Sequence, residues 1–153
     1  MDPKYITVHC SATTPSPAID VQTIRRWHTS KGWSDIGYHF VIKTDGKVQP
    51  GRPLTRNGAG VKGHNKDNIH ICLIGGVDIN GKSMNNFTDL QWDALRLLIT
   101  ELCGNYGIKE SNIKGHRDWF GDLNGDGVID RRDWFKDCPC FDVQAKLKEW
   151  GND

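Results

Sequence analysis

The 153-residue chain has no apolar run that approaches the ~20 residues of a membrane-spanning helix. Its longest apolar stretch, Ile69 to Val77, is broken by His70 and two glycines. Its start, Met-Asp-Pro-Lys-Tyr, lacks a charged segment followed by an apolar one, so no secretory leader is expected. The chain therefore reads as cytoplasmic as synthesised, with no membrane partner. Net charge is almost absent as well. At +1, with a pI near 7.7, nothing drives binding to nucleic acid, and none is expected as a partner. An even cysteine count is also lacking. The five thiols, Cys10, Cys72, Cys103, Cys138 and Cys140, do not make a complete disulfide framework. In a reducing compartment they read as core fillers or metal ligands. Apolar material is not lacking: 37% hydrophobic and 25% charged residues are ordinary for one globular domain. A monomer spanning 1–153 is expected.

Local patterning divides the chain into alternating strands and helices. Residues 5–10 read as a buried strand ending at His9-Cys10, followed by a Ser/Thr/Pro loop. Asp20 is placed to cap a helix with Ile24, Trp27 and His28 on one stripe, ended by Gly32. Residues 38–43 read as a strand, and Asp45-Gly46 as a hairpin turn into a return strand at 47–49. After a Gly/Asn-rich loop, residues 69–75 suit a central strand covered on both faces. Thr88 and Gln91 form a capping box ahead of Leu95, Leu98, Ile99 and Leu102, and Gly104 or Gly107 stops that helix. Residues 112–116 read as a short connection. Residues 141–150 read as a last helix with Val143, Leu147 and Trp150 on one face. The expected fold is a single α/β domain, a mixed central sheet flanked by helices.

Compact catalytic motifs are missing. There is no H-E-x-x-H or C-x-x-C, and no spacing singles out the carboxylate pair that a glycosidase needs. His9, His116 and Cys138 each lie in a segment of chemical interest, yet spacing alone does not join them. Read by themselves, they are hydrogen-bonded histidines and a buried thiol before they are a metal site.

An ordered series of short segments changes this reading. His9-Cys10-Ser11-Ala12-Thr13 is followed by Arg26-Trp27-His28, Gly32-Trp33 and Asp35-Ile36-Gly37-Tyr38-His39-Phe40. Next come Gly51-Arg52, Lys62-Gly63-His64-Asn65, Ile71-Cys72-Leu73-Ile74-Gly75-Gly76, Gly115-His116-Arg117-Asp118 and Lys136-Asp137-Cys138-Pro139. In this order they resemble the type 2 N-acetylmuramoyl-L-alanine amidases, which include small phage lysozyme-amidases and animal peptidoglycan recognition proteins. The resemblance covers about residues 5 to 150. It implies that His9, His116 and Cys138 ligate Zn2+, with a fourth position open to water. It also implies catalytic roles for Tyr38 and Lys136, and substrate contacts at His64 and Asn65. His39, next to Tyr38, reads as structural, because successive strand residues face opposite ways. One departure stands out. Gly60 occupies a position where many relatives carry histidine, and nearby His64 is a candidate replacement.

Residues 122–133 carry a second metal pattern. Asp122, Asn124, Asp126, Val128, Asp130 and Asp133 take positions 1, 3, 5, 7, 9 and 12 of a calcium loop, with Gly127 at position 6. Ca2+ is therefore a candidate second ion, held by an insertion between His116 and Cys138. A polar surface turn is the bland alternative.

The resemblance implies hydrolysis of the bond between N-acetylmuramic acid and L-alanine in peptidoglycan or muropeptides. It suits a phage or prophage endolysin that acts on the wall after release. Alternatives are a cytoplasmic amidase that recycles wall fragments and a non-catalytic peptidoglycan-binding protein. A calcium-dependent interaction module built on 122–133 is a third.

Overall fold

In a computed structural model, which describes residues 1–120, 125 and 137–151, the centre of the molecule is a five-stranded mixed sheet. Its strands are β1 (Tyr5–Cys10), β2 (Phe40–Ile42), β3 (Val48–Pro50), β4 (Asn68–Leu73) and β5 (Ile113–Gly115), in the order β3-β2-β4-β1-β5. β2, β4, β1 and β5 run parallel, and β3 closes one edge as the antiparallel arm of a hairpin. Among the described residues, three α-helices accompany the sheet: α1 (Val21–Ser30), α2 (Asp89–Tyr106) and α3 (Val143–Gly151). The expected α/β architecture is what forms. Among the described residues no helix is long and apolar enough to cross a membrane.

Strand periodicity gives the sheet two unlike faces. Ile6, Val8 and Cys10 of β1 join Ile69, Ile71 and Leu73 of β4 in one cluster with Leu95, Leu98, Ile99 and Leu102 of α2 and Val143 of α3. The alternate residues Thr7, His9, Asn68 and His70 are buried and polar. Beside that polar row, Val41, Cys72 and Ile74 pack on Val21 and Ile24 of α1. One face is therefore a dry core and the other carries imidazoles. The site lies on the second face, toward the carboxyl ends of the parallel strands, where open α/β sheets hold their ligands.

The caps explain the helix limits. Asp20 accepts from the Thr23 amide at 2.9 Å at the start of α1. Thr88 and Gln91 make the expected capping box, and α2 ends at Gly107, whose left-handed φ of 65° strongly favours glycine. Gln91 is fully buried and also donates to the carbonyls of Ile42 and Ile74, tying α2 to the ends of β2 and the β4 segment.

Three local expectations are corrected. Residues 112–116 do not form a plain connection. Ile113–Gly115 pairs in parallel with Ile6–Val8, which supplies the unpaired edge of β1 with a partner. The strand expected over 38–43 is only Phe40–Ile42, because Tyr38 and His39 bond to the amides of Arg52 and Gly51 outside the regular ladder. The buried stripe of α1 is Val21, Ile24 and His28. Trp27 stays 42% exposed on the helix shoulder, where it borders the cleft described next.

Candidate metal centre

His9 sits at the penultimate position of β1, on the polar face, with no solvent exposure. His116 begins a single 3-10 turn, His116–Trp119, directly after β5. That turn is held by the Asp118 carboxylate, which accepts from the Gly115 amide at 2.8 Å. Cys138 lies just before α3, and its carbonyl accepts from the Arg117 amide at 3.0 Å. Parallel pairing of β5 on β1 thus carries His116 to His9, and the Arg117 bond carries Cys138 to both. One donor atom from each of the three lies within 4.8 Å of the others.

The donor atoms suit zinc. Bond lengths of 2.0–2.3 Å around a tetrahedral ion put neighbouring nitrogen and sulfur ligands about 3.5 Å apart. The Cys138 Sγ is 3.9 Å from His9 Nδ1. The other nitrogen of His9, Nε2, lies 2.8 Å from His70 Nδ1, so Nδ1 is the atom that faces Cys138. The Cys10 amide donates to Cys138 Sγ at 3.1 Å and so fixes the place of the sulfur. Two imidazoles and one cysteine sulfur form a borderline-soft set that leaves a tetrahedral ion one open position. Cys140 does not join them. Its Sγ lies 3.2 Å from the Gly76 carbonyl and 3.8 Å from Cys10 Sγ. The Cys10 thiol is pushed up to about 12, first by its neighbour Cys138 and then by burial.

His116 and Cys138 border a cleft of about 240 Å³ that Tyr38, His28, Trp33 and Cys10 also line, while His9 is buried behind them. The Tyr38 ring centroid is 4.9 Å from that of His9. Burial raises the Tyr38 phenol well above its ordinary value, with the thiols Cys72, Cys138 and Cys10 adding to the effect. It therefore remains a hydrogen-bond donor near neutral pH. His28 accepts the Gly37 amide on Nδ1 at 2.9 Å, and burial lowers its pKa to about 4. A wider groove of about 670 Å³ adjoins the cleft at Trp33, Ala59, Gly60 and His116 and extends to Asn65 and Phe120.

Asn65 lines this groove and accepts the amides of Gly60 and Val61, both at 2.9 Å, so its side chain shapes the loop. His64 points elsewhere. It stacks on Trp119 at 4.7 Å and lines a separate depression with Lys4, Tyr5 and Asp67. The histidine next to Gly60 is instead His70. A Cβ at position 60 would lie 2.7 Å from its Cε1, so the ring fills the space of a side chain there. The sequence alone gives neither His70 nor His28 a role in the site. For His70 the available signal was a single polar ring in an otherwise apolar central strand. His39 is structural, as expected: its Nδ1 accepts from the His70 amide at 3.0 Å and its Nε2 bonds the Arg56 carbonyl at 2.9 Å. Lys136 and the calcium-loop positions Asp122, Asn124, Asp126, Val128, Asp130 and Asp133 lie outside the described residues.

Comparison with known proteins matches residues 1–139 to the family described as N-acetylmuramoyl-L-alanine amidase. An endolysin of Klebsiella phage KP32 is 46% identical over 147 residues, covering 96% of this chain and 84% of that protein. An endolysin of Enterobacteria phage T3 is 41% identical over 147 residues, with the same 96% and 84% coverage. Among solved structures, the endolysin N-acetylmuramoyl-L-alanine amidase LysCS from Clostridium intestinale superposes with a TM-score of 0.71 at 27% identity. That match covers 96% of this chain and 84% of the other. Bumblebee PGRP-SA superposes with a TM-score of 0.72 at 25% identity, covering 98% and 83%.

Proposed function

The chain belongs to the N-acetylmuramoyl-L-alanine amidase family, and on that premise we propose that it is a zinc-dependent hydrolase of the amide between N-acetylmuramic acid and L-alanine in peptidoglycan, working as a phage endolysin. The observation that carries this reading is the convergence of His9, His116 and Cys138, the last two of which line an open cleft.

In this reading His9, His116 and Cys138 hold the ion. Bound zinc supplies a Lewis acid for the amide carbonyl and a water that is acidic near neutral pH. The protein's own groups do the rest. Tyr38, protonated and on the wall of the cleft, donates a hydrogen bond to oxygen at the reacting centre. The family resemblance assigns Lys136 the task of placing a cation beside the developing oxyanion. Trp33, Phe120 and the loop braced by Asn65 offer an apolar groove wide enough for a glycan-linked peptide.

Digestion of purified peptidoglycan tests the reaction. The expected products carry new L-alanine amino termini and intact N-acetylmuramic acid, and a chelator stops their release. New reducing sugars without new L-alanine termini would contradict the amidase reading. Activity that survives complete removal of metal would contradict the zinc.

A further inference from the structure

The His70 ring is fully buried, and among the described residues its Nε2 has no hydrogen-bond partner. An unpartnered buried polar atom is unfavourable, so something else must hold the ring in place. The surroundings are built for it. The His70 amide donates to His39 Nδ1 at 3.0 Å, and the His39 amide donates back to the His70 carbonyl at 2.9 Å. Donation from His39 Nε2 to the Arg56 carbonyl then fixes the His39 tautomer. The loop above the ring is bare. A Cβ at Gly58 would approach His70 Cδ2 to 2.6 Å, and one at Gly60 would approach Cε1 to 2.7 Å. The nitrogen of His70 that does have a partner meets His9: Nδ1 lies 2.8 Å from His9 Nε2.

We infer that His70 is a positioning residue for His9, accepting the Nε2 proton of His9 on its own Nδ1 and so holding the His9 tautomer whose Nδ1 lone pair faces Cys138. The inference rests on the metal reading above and goes beyond it. A neutral imidazole carries one N–H, and the partner of one nitrogen decides the state of the other. With Nδ1 accepting, the proton of His70 must sit on Nε2, the atom without a described partner. The reverse assignment would put a proton on His9 Nδ1 and remove it as a ligand. The unpartnered atom is thus the cost of presenting an acceptor to His9. His70 meets the metal site through His9 and acts by positioning it.

Zinc affinity, measured by competition with a chromophoric chelator, tests this without reference to turnover. Loss of such an outer partner weakens metal binding about 10- to 100-fold, and His70→Leu is expected to do so. His70→Asn offers an amide oxygen near the place of Nδ1 and is expected to restore affinity to within about 3-fold. Nitrogen NMR of the unsubstituted zinc-loaded protein reads the tautomers directly. The expected pattern is a proton on His9 Nε2 and none on His70 Nδ1. A protonated His70 Nδ1, an unchanged affinity in His70→Leu, or an Asn variant as weak as the Leu variant would each overturn the inference and leave the metal reading intact. An unsubstituted protein that takes up no zinc would overturn both.

Discussion

The Arg117 amide donates to the Cys138 carbonyl at 3.0 Å, joining the segments that carry His116 and Cys138 beside their side chains. The two residues are far apart in sequence, yet this bond makes them neighbours. Cys138 is the donor that spacing was least able to identify, since Cys140 lies only two residues on.

Exchanging each thiol for a hydroxyl separates them. Cys138→Ser is expected to weaken zinc binding more than about 100-fold, beyond the loss of an outer partner, and to abolish muropeptide release. Cys140→Ser is expected to change both by less than about 2-fold, because a hydroxyl can also donate to the Gly76 carbonyl. Equal losses in the two variants would mean that the ligand is misassigned.

Tyr38→Phe removes one hydroxyl and keeps the ring that packs 4.9 Å from His9. Turnover on peptidoglycan is expected to fall about 100- to 1000-fold, the range for loss of an oxyanion donor. Zinc affinity and melting temperature should stay close to those of the parent. A parental rate in this variant would remove Tyr38 from the chemistry.

Acid should destabilise the metal-free protein before its carboxylates titrate. Burial lowers His28 from 6.5 to about 4 and His70 from 6.5 to about 3. Below pH 6.5 the unfolded chain binds protons that the folded chain refuses. The stabilisation is therefore complete above pH 6.5 and is lost as pH falls through the window down to about 4 and then 3. Denaturant melts in chelator at pH 7, 5.5 and 4.5 should show a falling midpoint. His28→Asn, which keeps an acceptor for the Gly37 amide, should flatten that trend, and an equal slope in the variant would contradict it.

Gln91→Leu leaves the carbonyls of Ile42 and Ile74 without their donor and breaks the capping box of α2. A loss of about 2–4 kcal/mol is expected from two buried acceptors and one cap, measured by urea denaturation of the metal-free protein. A loss below about 1 kcal/mol would mean that α2 is anchored by packing alone.

For residues 122–133 the expectation rests on oxygen-ligand spacing alone. We propose that calcium, added to the zinc-loaded protein, raises its melting temperature, and that Asp126→Ala removes the increase. Identical melts with and without calcium would return this loop to an ordinary polar turn.

Local physics was legible in the chain by itself. The continuous burial of β1 and β4, the caps at Asp20 and Thr88, and the apolar stripe of α2 all depend on neighbours a few residues away. The ordered motifs also pointed to His9, His116, Cys138 and Tyr38. Contacts between distant segments were decided only by tertiary structure. Ile113–Gly115 is a strand because β1 has a free edge to pair with, which no local pattern announces. Residue 64 turns to Trp119, while His70 reaches His9 across the parallel pairing of β4 and β1, in space left by Gly58 and Gly60. Imidazole chemistry depends on which nitrogen meets which partner. That is a matter of distances of about 3 Å between strands, and spacing along one chain does not encode it.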